Sequence, residues 1–470
     1  MKEARFFLGA TALAVSGLAA LGLAGCGQGS MSSVSTSGAS GQAMVVTVGD
    51  APLSNILSAK VTVSGLSLTP SGGGSNVTVF SSSRTIELSS LGAIQEPLET
   101  ENVAAGTYSA VNVTVASATV TYLDSTGNVV TGTAAINSPN VAVALNPALT
   151  VTQGQDVHLS LNFNLAQSFD LTGTTLTFTP SITTAAASIE QESEADREVE
   201  VTGSVVSINS TSVTVQSAAT GAPATFAINS STQFSANTSA GSIQPGSIVT
   251  VHGTVQPDGS LLATMISASM NGESMGASQG GGRGIVTAVT ADGSGNVTSF
   301  NFMPREDFGD TTSVTPITVT LSASTTYGVS EDAMQEGIAA GAFTNAEIFR
   351  GQSVQVIGAM GSGNSIAANE VDLAPESLSG TLTAAALGSA PNYTFALQLP
   401  AASFLTTYNS LTTLNANTNA QTEYEGSLTQ SGFGSLAVGT NLEVHGYLLL
   451  SGSNYSLTVA NVQQVEGSDN

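Results

Sequence analysis

The sequence predicts an all-β protein, an N-terminal β-sandwich followed by three small β-barrel repeats. Three observations lead there. Short apolar runs alternate with polar residues at period two, as half-buried strands require. Turn residues separate the runs at close intervals, and 50 glycines with no tryptophan among 470 residues suit many strands joined by tight turns. A strand-and-turn pattern in the C-terminal half recurs three times in one register, the mark of a repeat architecture. At 41% hydrophobic the chain has apolar area for several small cores, and its length asks for more than one.

The chain opens with Lys2 and Arg5 ahead of an uncharged, largely apolar stretch from Phe6 to Gly25. Leu23-Ala24-Gly25-Cys26 follows, and then a small, polar run to Gln42. This resembles a bacterial lipobox, in which the cysteine thiol receives diacylglycerol and cleavage leaves it at the N-terminus. The competing readings are an uncleaved anchor, since about 20 apolar residues span a bilayer, and an ordinary secretory leader. Neither accounts for the placing of the chain's single cysteine at this point. The expectation is a lipoprotein signal peptide over 1–25, lipid on Cys26 and a flexible tether over 26–43. By the same resemblance, Gly27 after the cysteine favours the outer membrane of a Gram-negative cell. A lipidated Cys26 leaves no thiol for disulfides, metal sites or nucleophilic catalysis.

Charged residues make up 9% of the chain, 8 basic against 33 acidic. Such a surface repels phosphate, so no nucleic acid partner is expected. It also repels anionic lipid headgroups, so attachment to a membrane must come from the lipid on Cys26.

Residues 44–187 are expected to form the sandwich. Lys60-Val61-Thr62-Val63 and His158-Leu159-Ser160-Leu161 show the alternation that puts one strand face on a core and the other in water. Turn signals such as Asp124-Ser125-Thr126-Gly127-Asn128 fall between such runs. Asp50-Ala51-Pro52, the Thr62-to-Leu68 strand, Ala105-Gly106-Thr107-Tyr108 and an Asp156-to-Phe163 strand ahead of Pro180 resemble domain of unknown function 4382, an N-terminal lipoprotein domain. The Ala-Gly-Thr-Tyr turn is also similar to transthyretin-like and carboxypeptidase-regulatory-like sandwiches, which implies a tyrosine packed at a corner. No catalytic residues come with that family.

An acidic linker is expected over 188–199. The repeats follow at 200–270, 284–374 and 376–467, with a Gly/Ser linker over 271–283. Each carries two glycines seven apart around a strand: Gly246 and Gly253, Gly351 and Gly358, Gly439 and Gly446. Each has a Thr-x-aromatic before that strand, at Thr232, Thr325 and Thr422, and a glycine ahead of its first β run, at Gly203, Gly284 and Gly380. This pattern resembles domain of unknown function 5666, small β units found in tandem in lipoproteins. Five or six strands in so short a unit suggest a small closed barrel, OB-like. The second copy carries insertions at Met303 to Thr315 and Glu331 to Ile348, the latter alanine-rich and compatible with a short helix.

The residues that could carry chemistry are few. His252 and His445 occupy one repeat position that holds Ile357 in the second copy, so they read as strand residues, and His158 reads as the polar side of an alternating strand. Without clustered histidines or a second cysteine, a transition metal lacks a ligand set. Glu306, Asp307 and Asp310 could offer calcium oxygen ligands from a loop, although the spacing is not that of an EF-hand and a solvated acidic turn fits as well. G-x-S-x-G occurs twice, around Ser274 and Ser278, in a Gly/Ser-rich stretch without the strand–helix context of a nucleophile elbow. No cofactor is expected. The sequence points to a non-catalytic envelope lipoprotein that binds or supports envelope proteins or polysaccharide. The alternatives are a carbohydrate-binding or adhesive surface protein, weakened by 8 tyrosines, 16 phenylalanines and no tryptophan, and an envelope glycan hydrolase needing convergent carboxylates.

Overall fold

The computed structural model describes residues 41–465 apart from 52–54, 92–94, 125, 172–174, 194, 236–238, 269–278, 308–314, 331–332, 335 and 426–427. Cys26, the segment 1–25, most of the tether, Asp310 and both G-x-S-x-G serines lie outside the described residues.

The N-terminal part is a sandwich of two sheets. One runs in the order Ile182–Ser188, Val157–Asn164, Gly41–Ala51, Glu96–Ala104, with the central pair parallel. The other is built on Ile56–Pro70 paired with Gly106–Leu123, with shorter strands on either side. Alternation directs Val46, Val48, Leu159 and Leu161 from one sheet against Val61, Val63, Val111 and Val113 from the other, and all eight share one core. Each such side chain contributes roughly 1.5–3 kcal/mol by leaving water. Tyr108 is buried and its hydroxyl donates to the Ala104 carbonyl at 2.8 Å, closing the expected corner.

The far face of the first sheet is covered as well. His158 is 1% exposed rather than facing water, with Nε2 2.8 Å from the Thr47 hydroxyl and Nδ1 3.0 Å from Glu192. The alternation predicted its strand face correctly, but periodicity cannot show that a second layer lies over that face.

The C-terminal part is three closed barrels of five strands each. The first comprises Glu198–Ile208, Ser212–Ser217, Pro223–Ala227, Ile248–Val255 and Leu261–Ala268. The second comprises Gln279–Ala291, Val297–Asp307, Ile317–Thr320, Ser353–Gly361 and Ser365–Leu373. The third comprises Glu376–Leu382, Asn392–Gln398, Thr413–Asn417, Asn441–Ser451 and Asn454–Gln464. In each barrel, strand one pairs with two and four, two with three, and four with five. Three and five then close the barrel in parallel. That 1-2-3-5-4 circuit is the arrangement of an OB barrel.

The repeated residues have repeated reasons. Gly246, Gly351 and Gly439 sit at φ of +88°, +88° and +94°, a left-handed turn into strand four that side chains resist. Gly253, Gly358 and Gly446 lie at a register shift between strands four and five, where a Cβ would collide with the carbonyl oxygens of Leu262, Ala367 and Thr458. Thr232, Thr325 and Thr422 donate their hydroxyls to strand-five carbonyls at Ala263, Ala368 and Val459, at 2.7–2.8 Å. Each also accepts the backbone N–H three residues before it.

Both linkers are shorter than expected. Ser188 still belongs to the sandwich and the first barrel begins at Glu198. The second barrel begins at Gln279, so Gly280-Gly281-Gly282 are strand residues inside the stretch read as a Gly/Ser linker. A Cβ on Gly281 would run into the Val356 carbonyl, so close backbone approach accounts for a glycine that composition assigned to flexibility. The described part of 331–348 is mostly turns rather than a short helix.

Candidate functional site

Along a barrel strand alternate side chains enter the core and the rest point outwards. In each barrel residues of strands four and five, with those of a short strand running parallel to strand five, line the same cleft, and in the first two barrels strand one joins them. The cleft holds about 700 Å³, within the range of small-molecule sites. Its walls mix polar and apolar surface, and most of the charged groups are acidic: Glu198, Glu200, Glu336, Glu370, Asp372 and Glu423 line it with Arg283, His252 and His445.

The charges divide into two groups. The first is mutually compensated: Glu200 lies 3.8 Å from Arg283 and 3.6 Å from His252, its neighbour across strands one and four. Arg283 also lies 3.5 Å from Glu306, and it donates to the Thr202 hydroxyl at 2.8 Å. The second group has no such compensation. Glu370 and Asp372 stand two apart on strand five of the second barrel and are hydrogen-bonded to each other. Burial pushes both carboxyls up, and for Asp372 the neighbouring Glu370 adds to it. Glu423 on the third barrel is intermediate between the two groups: desolvation raises it, against the pull of His252.

His445 also stands on the wall, half-buried. Desolvation pushes its pKa down to about 4, so the imidazole is neutral at physiological pH. Its Nδ1 lies 2.8 Å from the Ser377 hydroxyl, on the strand beside it. A side pocket of about 30 Å³, room for roughly one water, opens beside it between Glu96, Glu200, Arg283 and Glu306.

Glu306, considered above as a calcium ligand on an acidic turn, is 3% exposed on strand two of the second barrel, beside Arg283. Burial pushes its pKa up to about 7, against the pull of Arg283. Asp307 ends that strand. Among the described residues no three His, Cys, Asp or Glu side chains converge as a metal ligand set.

The six repeat glycines are structural. The residues that sequence reasoning passed over are Glu370 and Asp372 on the second barrel and Glu423 on the third. Their signal was available: the fifth-strand position opposite the bulge carries Met265, Glu370 and Asn461 in the three copies, three different residues inside a well-kept register.

Comparison with known proteins agrees with this division of the chain. Residues 43–180 match the family described as Domain of unknown function (DUF4382), and residues 202–267 and 409–457 match Domain of unknown function (DUF5666). These fall in the sandwich and in the first and third barrels. No catalytic family is indicated. No curated protein matches the chain. Among solved structures, the wild-type single-stranded DNA binding protein from Thermus aquaticus and a deletion mutant of it are similar at 15% and 16% identity. They cover 40% of this chain and 90–91% of their own, with TM-scores of 0.14 and 0.13. At those scores the likeness carries no argument about partners.

Proposed function

We propose that this chain is a cell-envelope lipoprotein, anchored by lipid on Cys26, which binds a small polar ligand in the cleft between its three barrels. The role is binding without catalysis. The observation that carries this reading is that three copies of one barrel turn the same outward face to a common cleft whose residues differ from copy to copy. The lipobox-like Leu23-Ala24-Gly25-Cys26 supports the anchoring, and the acidic walls speak against nucleic acid.

The glycan-hydrolase alternative loses ground on geometry. Glu370 and Asp372 are in hydrogen-bond contact, closer than the roughly 5 Å separation of a retaining pair and the wider gap of an inverting one. An adhesive sugar surface gains little, because Tyr447 is the single aromatic ring on the cleft wall among the described residues.

Two measurements test the proposal. Metabolic labelling with palmitate should mark the wild-type chain and not Cys26→Ser; labelling of neither would remove the anchor. Thermal melting of the full chain against sugars, amino acids and amines should find a stabilising compound whose effect is lost in Thr264→Trp, which fills the cleft from an exposed wall position. A panel that stabilises nothing, or stabilises both chains alike, would overturn the binding site.

A further inference from the structure

We infer that Thr47 and Gln95 become joined by an ester bond that the chain forms on itself, with His158 as the general base. The site lies in the sandwich, outside the residues that line the cleft, and does not depend on the binding proposal. Neighbouring strands bring the groups together. Thr47 and Gly49 on Gly41–Ala51 share a face with His158, Ser160 and Asn162 on Val157–Asn164, the strand paired with it in parallel. Gln95 immediately precedes Glu96–Ala104, the strand on the other side. The face is covered: Val45, two residues before Thr47, packs in the first barrel's apolar cluster, and Glu192 follows the short turn Ile189–Gln191.

The first observation is a hydroxyl, an imidazole and a carboxylate in the order that activates a nucleophile. Thr47 Oγ1 lies 2.8 Å from His158 Nε2, and His158 Nδ1 lies 3.0 Å from Glu192. With Glu192 accepting from Nδ1–H, the Nε2 lone pair faces the Thr47 hydroxyl and can take its proton. Thr47 is fully buried, so a substrate from outside has no path to this hydroxyl.

The second observation is the acyl group supplied from within. Thr47 Oγ1 lies 3.1 Å from Oε1 of Gln95, which sets the carboxamide against the nucleophile. The other end of that carboxamide is held, since Gln95 Nε2 donates to Asn162 Oδ1 at 2.6 Å. Gly49 makes the room: a Cβ there would overlap Gln95 Nε2 and crowd Asn162 Oδ1. Such fixed contact between nucleophile and carbonyl group replaces the encounter that a separate substrate would need.

The step balances without any co-reactant. Thr47 Oγ1 attacks the Gln95 carboxamide carbon as His158 Nε2 removes the hydroxyl proton. The C–Nε2 bond then breaks, His158 returns the proton to the leaving nitrogen, and ammonia departs. Burial keeps out the water that would hydrolyse the ester. It is a single turnover, so the chain is modified without acting on another molecule. The bond would close a loop between positions 48 apart, as a disulfide does in chains that have paired cysteines, and this chain has one cysteine. Gln95 also accepts the Glu200 N–H of the first barrel through its carbonyl at 3.0 Å, so the crosslink sits where sandwich and barrel meet.

The test is peptide mapping by mass spectrometry of the denatured full chain. In wild type, the peptides carrying Thr47 and Gln95 should be recovered as one species, lighter by one ammonia than their sum and separated by hydroxylamine. Thr47→Ser should still form the link, and Thr47→Val and His158→Ala should not. Glu192 acts through His158 as a positioning residue. In pulse-labelled Glu192→Gln the link should accumulate at least tenfold more slowly, while the melting temperature of the unlinked chain matches that of unlinked His158→Ala or exceeds it. Wild-type peptides recovered separately, with Thr47 and Gln95 unmodified, would overturn the inference whether or not the variants fold. A link that resists hydroxylamine would overturn the ester, and one formed at the wild-type rate in His158→Ala would overturn the role of the imidazole.

Discussion

Two sets of equivalent positions run through the three barrels and behave in opposite ways. Inside, the pairs Val251 with Ile266, Val356 with Val371 and Val444 with Val462 face one another across strands four and five, all buried. The bulge glycines and the threonine hydroxyls repeat with them. Outside, one residue along, the pairs across strands one and four are Glu200 with His252, Gly281 with Ile357 and Ser377 with His445. The two histidines line the cleft, whereas Ile357 is buried against Ile248 of the first barrel. What repeats is therefore what closes a barrel, and what varies is what meets a neighbour or the cleft. A position that holds a buried isoleucine in one copy can still present an imidazole to the cleft in another.

The comparison can be broken at the interfaces first. Glu96, on the sandwich, is buried against the Ser217 and Thr220 hydroxyls of the first barrel, and burial pushes its pKa up to about 8. Because the folded pKa lies above the unfolded one, its contribution is fully present below about pH 4.5 and is lost as pH rises through about 8. At on the order of 1.4 kcal/mol per pKa unit, this reaches several kcal/mol. Denaturant melts between pH 5 and 8.5 should show stability falling, with a shallower fall in Glu96→Gln. An unchanged slope would locate the titration elsewhere.

The repeated set gives the next largest effects. Gly446→Ala places a Cβ against the Thr458 carbonyl and should destabilise by about 3 kcal/mol, the upper end for overpacking. Gly358→Ala should do the same if the bulges are equivalent. Thr422→Val leaves the Asn419 N–H and the Val459 carbonyl each short of a partner, a loss of about 1–3 kcal/mol. Thr232→Val and Thr325→Val should match it by chemical denaturation. One mild member of either series would show that the register is shared but the energetics are not. The smallest effect belongs to the variable set: His252→Ile, which makes the first barrel resemble the second, should shift stability by less than about 1 kcal/mol.

The sequence carried the repeated set well and the variable set poorly, for a physical reason. Sandwich, barrels, strand alternation and the six glycines follow from local geometry, which acts within a few residues and so leaves a pattern in the chain. Glu370 and Asp372, two apart on one strand, share a face by spacing alone, but Glu423 lines the same cleft only once the barrels are assembled, and no spacing encodes that. Glu306 shows the same limit: beside Asp307 and Asp310 it reads as an acidic turn, while Arg283, which lies beside it, is 23 positions away on a different strand. Glycine misleads in its own way, since Gly280-Gly281-Gly282 looks identical whether it serves slack or close contact.

Arg305 bears on how the molecule could be taken apart. From the second barrel its guanidinium donates to the Leu57 and Ile56 carbonyls of the sandwich and pairs with the buried Glu376 of the third barrel at 3.1 Å. Leu57 and Leu123 of the sandwich belong to the same apolar cluster as the third barrel's core. One side chain thus acts as a keystone across three modules. Cutting the gene at the repeat boundaries would strand Arg305 in one fragment and Glu376 in another, and lay bare leucines in the sandwich. The unit of inheritance in this chain is the barrel, but the unit of construction is the whole.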